Sequence, residues 1–107
     1  MAVNVEELRK KYPNPKSAAD AQAVGRESYC VGGALWRELR MEKWNIREDL
    51  GPMTCTPSPP AVALALRVAN PNLAYAESCH IADQIVYEND SDNFDVAWAW
   101  MDKALSV

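Results

Sequence analysis

The sequence predicts an all-α fold, with one compact domain of five or six short helices over residues 1–107. Apolar residues recur at helical spacing through most of the chain. Many of these stretches begin at a favourable N-cap residue and end at glycine or proline. With 107 residues, 49% of them apolar, the chain is long enough for one hydrophobic core. A turn-rich segment at Gly51–Pro57 divides it into halves that are each too short to fold as a domain.

Two helices are predicted before Gly25. Asn4 and Glu7 are spaced as a capping pair, in which each side chain accepts a hydrogen bond from the other residue's N–H. Pro13 ends the helix that they begin. The alanine-rich segment over residues 18–24 has a high helix propensity, and Gly25 ends it. This second helix is short, so it needs partners against which to pack.

A third helix is predicted from a Ser28 N-cap to about Arg40, and a short helix over residues 41–50 follows it. The third helix carries the pair Gly32 and Gly33, which together lower helix stability by roughly 2 kcal/mol relative to alanine. So unfavourable a pair indicates that the structure requires glycine at this point. Either another backbone approaches closely here, or the helix begins irregularly.

The second half of the chain begins with a clear helix start at Ser58 and Pro59, a serine N-cap followed by proline in the first helical position. This helix runs to Ala69 and is apolar on most of its sides, which predicts that it is buried. Asn72 is predicted to cap the next helix, which extends over about residues 73–88.

A last helix is predicted near the C-terminus. Asp92, with Asp95 three residues on, is expected to cap it, and it ends near Leu105. Aromatic and apolar side chains occupy much of its circumference, which places it either at the centre of the domain or in an interface. Just before it, residues 85–87 are β-prone, so a short strand is an alternative to helix there.

Cys30 is the strongest candidate for a catalytic residue, because it lies near the start of the third helix. The positive end of a helix dipole lowers the pKa of a thiol and raises its thiolate fraction. His80, the only histidine, is the available general base, and Asp83, Asn89 or Asp90 could orient it. Such a site would attack a thioester, amide or isopeptide carbonyl. The alternative is that Cys30 is a small buried apolar residue, the common state of a free cysteine.

No metal site and no cofactor is predicted. Cys30, Cys55, Cys79 and His80 form a Cys₃His set of a kind that binds zinc, but the spacing lacks two short chelating pairs. Residues 89–93 resemble a calcium loop in composition only, since the glycine and glutamate that an EF-hand requires at its sixth and twelfth positions are missing. The odd number of cysteines favours free thiols in a reducing compartment.

Charge and hydropathy argue against nucleic-acid and membrane partners. The net charge is −4, and the basic residues alternate with acids, so no basic patch is available for phosphates. The first residues lack the apolar region of a signal peptide. The longest apolar run, residues 59–66, is far shorter than the roughly 20 residues of a membrane-spanning helix. We therefore expect a cytoplasmic protein.

Four tryptophans are present, and tryptophan is common both in cores and in binding surfaces. Trp98 and Trp100 lie two residues apart and cannot share one face of a helix, so at least one meets a different environment. We expect the last helix to form a homodimer contact or to bind another protein. The predicted binding residues are Trp98, Trp100, Met53 and Cys55.

The run Cys30–Leu35 has the pattern C-x-x-G-A-L, and Asn89-Asp90 follows near the C-terminus. With the final helix over residues 95–105, these motifs resemble those of a group of small bacterial and phage proteins that carry a domain of unknown function. The resemblance implies one helical domain in which Gly33 and Ala34 allow close packing, and in which Asn89-Asp90 ends one helix and begins the next. It implies no activity and no functional residues.

The sequence therefore predicts a small, acidic interaction or regulatory module that is homodimeric or binds another protein. One histidine, no phosphate-binding loop and no metal-ligand spacing offer little chemistry for an enzyme. The alternative is a cysteine-dependent acyl-transfer hydrolase with Cys30 as nucleophile and His80 as base.

Overall fold

Five helices run through the residues that the computed structural model describes, which are 3–17, 19–20, 29–40 and 57–106. No strand occurs within those ranges, so the all-α prediction is confirmed. The Cα radius of gyration is 12.6 Å, close to the value of about 13 Å for a compact domain of this length. The helices are α1 (Val5–Lys11), α2 (Val31–Glu38), α3 (Pro59–Ala69), α4 (Tyr75–Asp90) and α5 (Phe94–Leu105).

Several predicted features lie outside the described residues. Residues 19–20 are helical, but the rest of the helix predicted over residues 18–24 is outside, and so is the helix predicted over residues 41–50. The same holds for the Gly51–Pro57 segment apart from Pro57, and therefore for Met53 and Cys55.

The predicted starts of α1 and α3 are confirmed. Asn4 is the N-cap of α1, and its Oδ1 accepts a hydrogen bond from the Glu7 N–H at 3.1 Å. Ser58 is the N-cap of α3 and Pro59 is its first residue, although the Ser58 side chain makes no capping hydrogen bond. At both positions the local sequence is sufficient to select the helix start.

The predicted caps of α2 and α4 are wrong. Cys30, and not Ser28, is the N-cap of α2, because its Sγ accepts a hydrogen bond from the Gly33 N–H at 3.2 Å. Ala74, and not Asn72, is the N-cap of α4. Asn72 instead belongs to the preceding turn, where its N–H donates to Oδ1 of Asn70 at 3.2 Å.

The start of α5 also differs from the prediction by one residue. Asp92 has a φ of 61°, in the left-handed region, whereas an N-cap residue is usually extended. Asn93 is therefore the N-cap of α5. The alternative of a short strand over residues 85–87 is wrong, because α4 runs through them without a break and Ile85 is fully buried in the core.

Helix α4 is central to the arrangement. It packs along α3 on one side and along α5 on the other, while α2 contacts α3 and α4, and α1 contacts α5. Burial of the apolar sides of these helices provides the main stabilising free energy of the domain. The largest fully buried apolar side chains are Val31, Leu35, Val62, Leu66, Ile81, Ile85 and Met101.

Gly32 allows α2 and α3 to approach each other closely. A Cβ atom built on Gly32 would lie 2.7 Å from Cγ2 of Val62 in α3, closer than real carbon contacts allow. Val62 is fully buried, and a β-branched side chain on a helix has little rotamer freedom. Gly32 is therefore a site of close packing between two helices, but the atoms that approach it belong to the Val62 side chain and not to another backbone, as the first of the two explanations had it.

Candidate functional site

Cys30 lies at the start of α2, where the catalytic hypothesis requires it, but it is only 5% exposed. Burial raises the pKa of its thiol to about 11, because the charged thiolate is poorly solvated there. Hydrogen bonds from backbone N–H groups, chiefly that of Gly33, act in the opposite direction and lower the pKa by less. Cys30 thus lies at a helix start, but desolvation raises its pKa by more than the hydrogen bonds of the helix start lower it. Cys30 is therefore a neutral thiol near pH 7.

The structure does not bring His80 to Cys30. The part of α4 beside Cys30 is its C-terminal end, where Asn89 and Asp90 line a small cavity together with Cys30. His80 lies nine residues before Asn89, or about 13 Å along a helix that rises 1.5 Å per residue. It is exposed, and its ring meets the Trp100 ring edge-on at 5.7 Å between centroids. This placement does not support a Cys30–His80 dyad.

Asp83, the third residue of the catalytic hypothesis, is exposed on α4. It lines a groove of about 190 Å³ between α3 and α4, together with Cys79 and Arg67. The Arg67 guanidinium is already engaged in this groove, since it donates to Oγ of Ser78 at 2.7 Å and lies 4.6 Å from the centre of the Tyr75 ring. The volume is below the roughly 300 Å³ at which small-molecule pockets begin.

Asn89 joins three separate parts of the chain. Its side chain is 1% exposed. Its Oδ1 accepts a hydrogen bond from the Val31 N–H at 2.8 Å, and its Nδ2 donates to the carbonyl oxygen of Lys16 at 3.0 Å. It therefore caps the start of α2 from the end of α4. The C-x-x-G-A-L and Asn-Asp motifs are thus in direct contact, and the contact has a structural role.

The two tryptophans of α5 lie in different environments, as their spacing predicts. Trp98 is 2% exposed and belongs to the core. Its predicted role in a binding surface is therefore corrected to a packing role. Trp100 is half-buried and packs against the edge of the core, so it is the tryptophan of α5 that keeps an exposed part for a partner to reach.

Trp100 is part of a surface that we call the α5 face, defined by Val96, Ala99, Trp100 and Lys103 with His80 at its edge. The four α5 residues line a shallow depression of about 220 Å³. Val96 is 44% exposed, and Nζ of Lys103 lies 5.0 Å from the centre of the Trp100 ring. Ala99 is exposed and small, which leaves room for a side chain of a partner.

A second exposed apolar stretch lies on α3, where Leu64 is 41% exposed and Val68 38% exposed. The two residues are four apart and thus share one side of the helix. This stretch has no aromatic residue, whereas tryptophan is the residue type most enriched at the energetic centres of interfaces. The α5 face is therefore the better candidate for protein binding.

Within the described parts of the chain, no three histidine, cysteine or acidic side chains come together as metal ligands. Cys30 and Cys79 are both free thiols. Among the same residues, no helix combines the length and the apolar character needed to cross a membrane.

Comparison of the chain with family models, with curated proteins and with solved structures finds no match in any of the three. The resemblance to the small bacterial and phage proteins stays a prediction drawn from the two motifs and the last helix.

Proposed function

We propose that this domain is a protein-interaction module that forms a homodimer through the α5 face. The observation that carries the proposal is the half-buried indole of Trp100 next to the exposed Val96 and Ala99. Tryptophan in a partly apolar, shallow surface is typical of interface centres, and a second copy would bury the exposed part of the indole.

Two contacts support the α5 face as a prepared docking surface. His80 of α4 meets the indole edge-on, and Lys103 lies over the ring. Both contacts restrict the position of Trp100 before a partner arrives, which lowers the entropy lost on binding. We place this module in the cytoplasm, because free thiols such as Cys30 and Cys79 are usual in a reducing compartment.

The test compares two exposed valines by sedimentation equilibrium. Val96→Asp places a carboxylate in the proposed contact, where it has no partner, and we expect dimerisation to weaken by at least about tenfold. Val68→Asp makes the same change on α3 at a residue of similar exposure, 38% against 44%. This control variant should dimerise like the unmodified chain.

Circular dichroism melting of each variant checks that it is folded. If Val68→Asp dissociates the dimer and Val96→Asp does not, the contact lies on α3 and the proposal is refuted. If the unmodified chain is monomeric at every concentration, the homodimer itself is refuted.

A further inference from the structure

We infer that the two copies pair with their α5 helices antiparallel, around a two-fold axis that passes between Ala99 and Trp100. The inference rests on the proposed function and adds the orientation and the register of the contact. It follows from two features of the α5 face, its charge order and its side-chain sizes, together with the symmetry that a homodimer imposes.

The first feature is the order of charges along α5. On the side of α5 that carries the α5 face, Asp92 lies just before the helix and Lys103 lies in the last turn. The helix has two further acids, Asp95 and Asp102, but both lie about 100–120° round the helix from Val96. An antiparallel pair brings Lys103 of each copy towards the acidic end of the other. A parallel pair would instead place Asp92 beside Asp92 and Lys103 beside Lys103, which is unfavourable.

Asp92 and Asp95 differ in whether they already form an ion pair within the chain. Asp95 forms an ion pair with Arg9 of α1. Asp92 is exposed and makes no ion pair within the described parts of the chain, so it is the acid that we assign to the partner's Lys103. The helix dipoles also oppose each other in this arrangement, which adds a small favourable contribution.

The second feature is the juxtaposition of a small and a large residue. Ala99 and Trp100 are neighbours, and both line the shallow depression of the α5 face. In a two-fold contact, if residue i meets residue j then j meets i. An antiparallel axis between Ala99 and Trp100 places each indole over the partner's Ala99, where the small side chain leaves space for it.

The same register sets the neighbours on either side of the axis. Val96 lies opposite the partner's Lys103, whose aliphatic stem can cover Val96 while its amine extends towards Asp92. Val96 then contacts the aliphatic part of the partner's Lys103 and not its charged amine. The α5 face is thus complementary to itself in size and in charge when the helices are antiparallel.

Disulfide cross-linking under mild oxidation tests the orientation. Each variant carries Cys55→Ser and Cys79→Ser, so that the buried Cys30 is the remaining native thiol. Sedimentation of this background first checks that it still dimerises. Single variants Val96→Cys and Lys103→Cys are then oxidised separately and as an equal mixture, and the cross-linked fraction is read on a non-reducing gel.

In the antiparallel contact, residue 96 of one copy is about 10 Å along the axis from residue 96 of the other, since seven residues separate it from position 103. A disulfide needs Cα atoms within about 7 Å. We therefore expect the mixture to cross-link and each single variant to cross-link at least about tenfold less. Ala99→Cys, next to the axis, should cross-link with itself.

The possible failures are distinguishable. If Val96→Cys cross-links with itself as efficiently as Ala99→Cys, the helices are parallel and the inference is overturned while the homodimer stands. If the background is dimeric but neither the mixture nor Ala99→Cys cross-links, the register is wrong. If the background and the unmodified chain are both monomeric, the proposed function itself fails.

Discussion

The contact between Gly32 and Val62 makes a quantitative prediction about Gly32→Ala. In a helix interior, alanine is favoured over glycine by about 0.8–1.0 kcal/mol, and this is an upper limit for Gly32, which is the second residue of α2. The new Cβ would lie 2.7 Å from Cγ2 and 3.5 Å from Cγ1 of Val62, and an extra methyl group in a well-packed core costs about 1–3 kcal/mol. The clash outweighs the propensity, so we expect Gly32→Ala to lower the free energy of unfolding by about 1 kcal/mol.

The same geometry predicts that the sign reverses when Val62 is shortened. In a Val62→Ala background both Cγ atoms are gone, and the nearest remaining atom, the Cβ of residue 62, is 3.7 Å from the new methyl group. That is an ordinary van der Waals distance. Gly32→Ala should then raise the free energy of unfolding by up to about 1 kcal/mol, because the propensity term remains.

Urea denaturation followed by circular dichroism measures this double-mutant cycle. All four proteins are compared at one concentration, because dimerisation stabilises a fold by mass action. A stabilising effect of Gly32→Ala in the unmodified chain, or the same effect in both backgrounds, would show that the α2–α3 approach does not constrain residue 32.

Two further predictions concern Cys30 and Asn89. The pKa of Cys30 is raised from about 9 to about 11 on folding. Between these pH values the thiol is deprotonated in the unfolded chain and protonated in the folded chain. The free energy of unfolding therefore falls as the pH rises. Cys30→Ser, which keeps an N-cap oxygen, should reduce the loss of stability between pH 9 and 11 by up to about 2 kcal/mol, measured by urea denaturation at each pH; an unchanged pH profile would contradict the assignment. Asn89→Ala leaves the Val31 N–H and the Lys16 carbonyl without their partner and should lower the free energy of unfolding by about 2–4 kcal/mol. Asn93 is the N-cap of α5 but makes no capping hydrogen bond with its side chain. Asn93→Ala therefore removes only one exposed hydrogen bond, to Glu88, and should cost less than about 1 kcal/mol in the same assay. Equal losses for both asparagines would refute the capping role of Asn89.

The parts of the fold that the sequence predicts correctly depend on local interactions. The starts of α1 and α3 follow from Asn4 and from Ser58 with Pro59, where the side chains that favour the start are within the first turn. The sequence also shows that Trp98 and Trp100 face different environments, because this follows from helix geometry alone.

The parts that the sequence misses depend on contacts between distant residues. Asn72 has a good N-cap side chain, but Asn70 holds its backbone in a turn. Asn89 has the composition of a turn residue, yet its role is to cap α2, 58 residues away. Its sequence signal is a polar residue on the apolar side of α4, four residues after the buried Ile85.

Cys30 shows the same limit for the candidate site. The position near a helix start is visible in the sequence and suggests a low pKa, whereas the burial that reverses the shift depends on the packing of α3 and α4 around it. The distance between Cys30 and His80 likewise depends on which end of α4 contacts α2. The helical spacing of apolar residues in the sequence does not show which end that is.

Sedimentation equilibrium of the unmodified chain over a wide range of concentrations tests the central claim most directly. If the chain dimerises through the α5 face, its average mass rises with concentration to twice the mass of one chain, and stays near the mass of one chain in Val96→Asp. The mass of one chain at every concentration for the unmodified protein, or a dimer that Val96→Asp leaves intact, would contradict the claim.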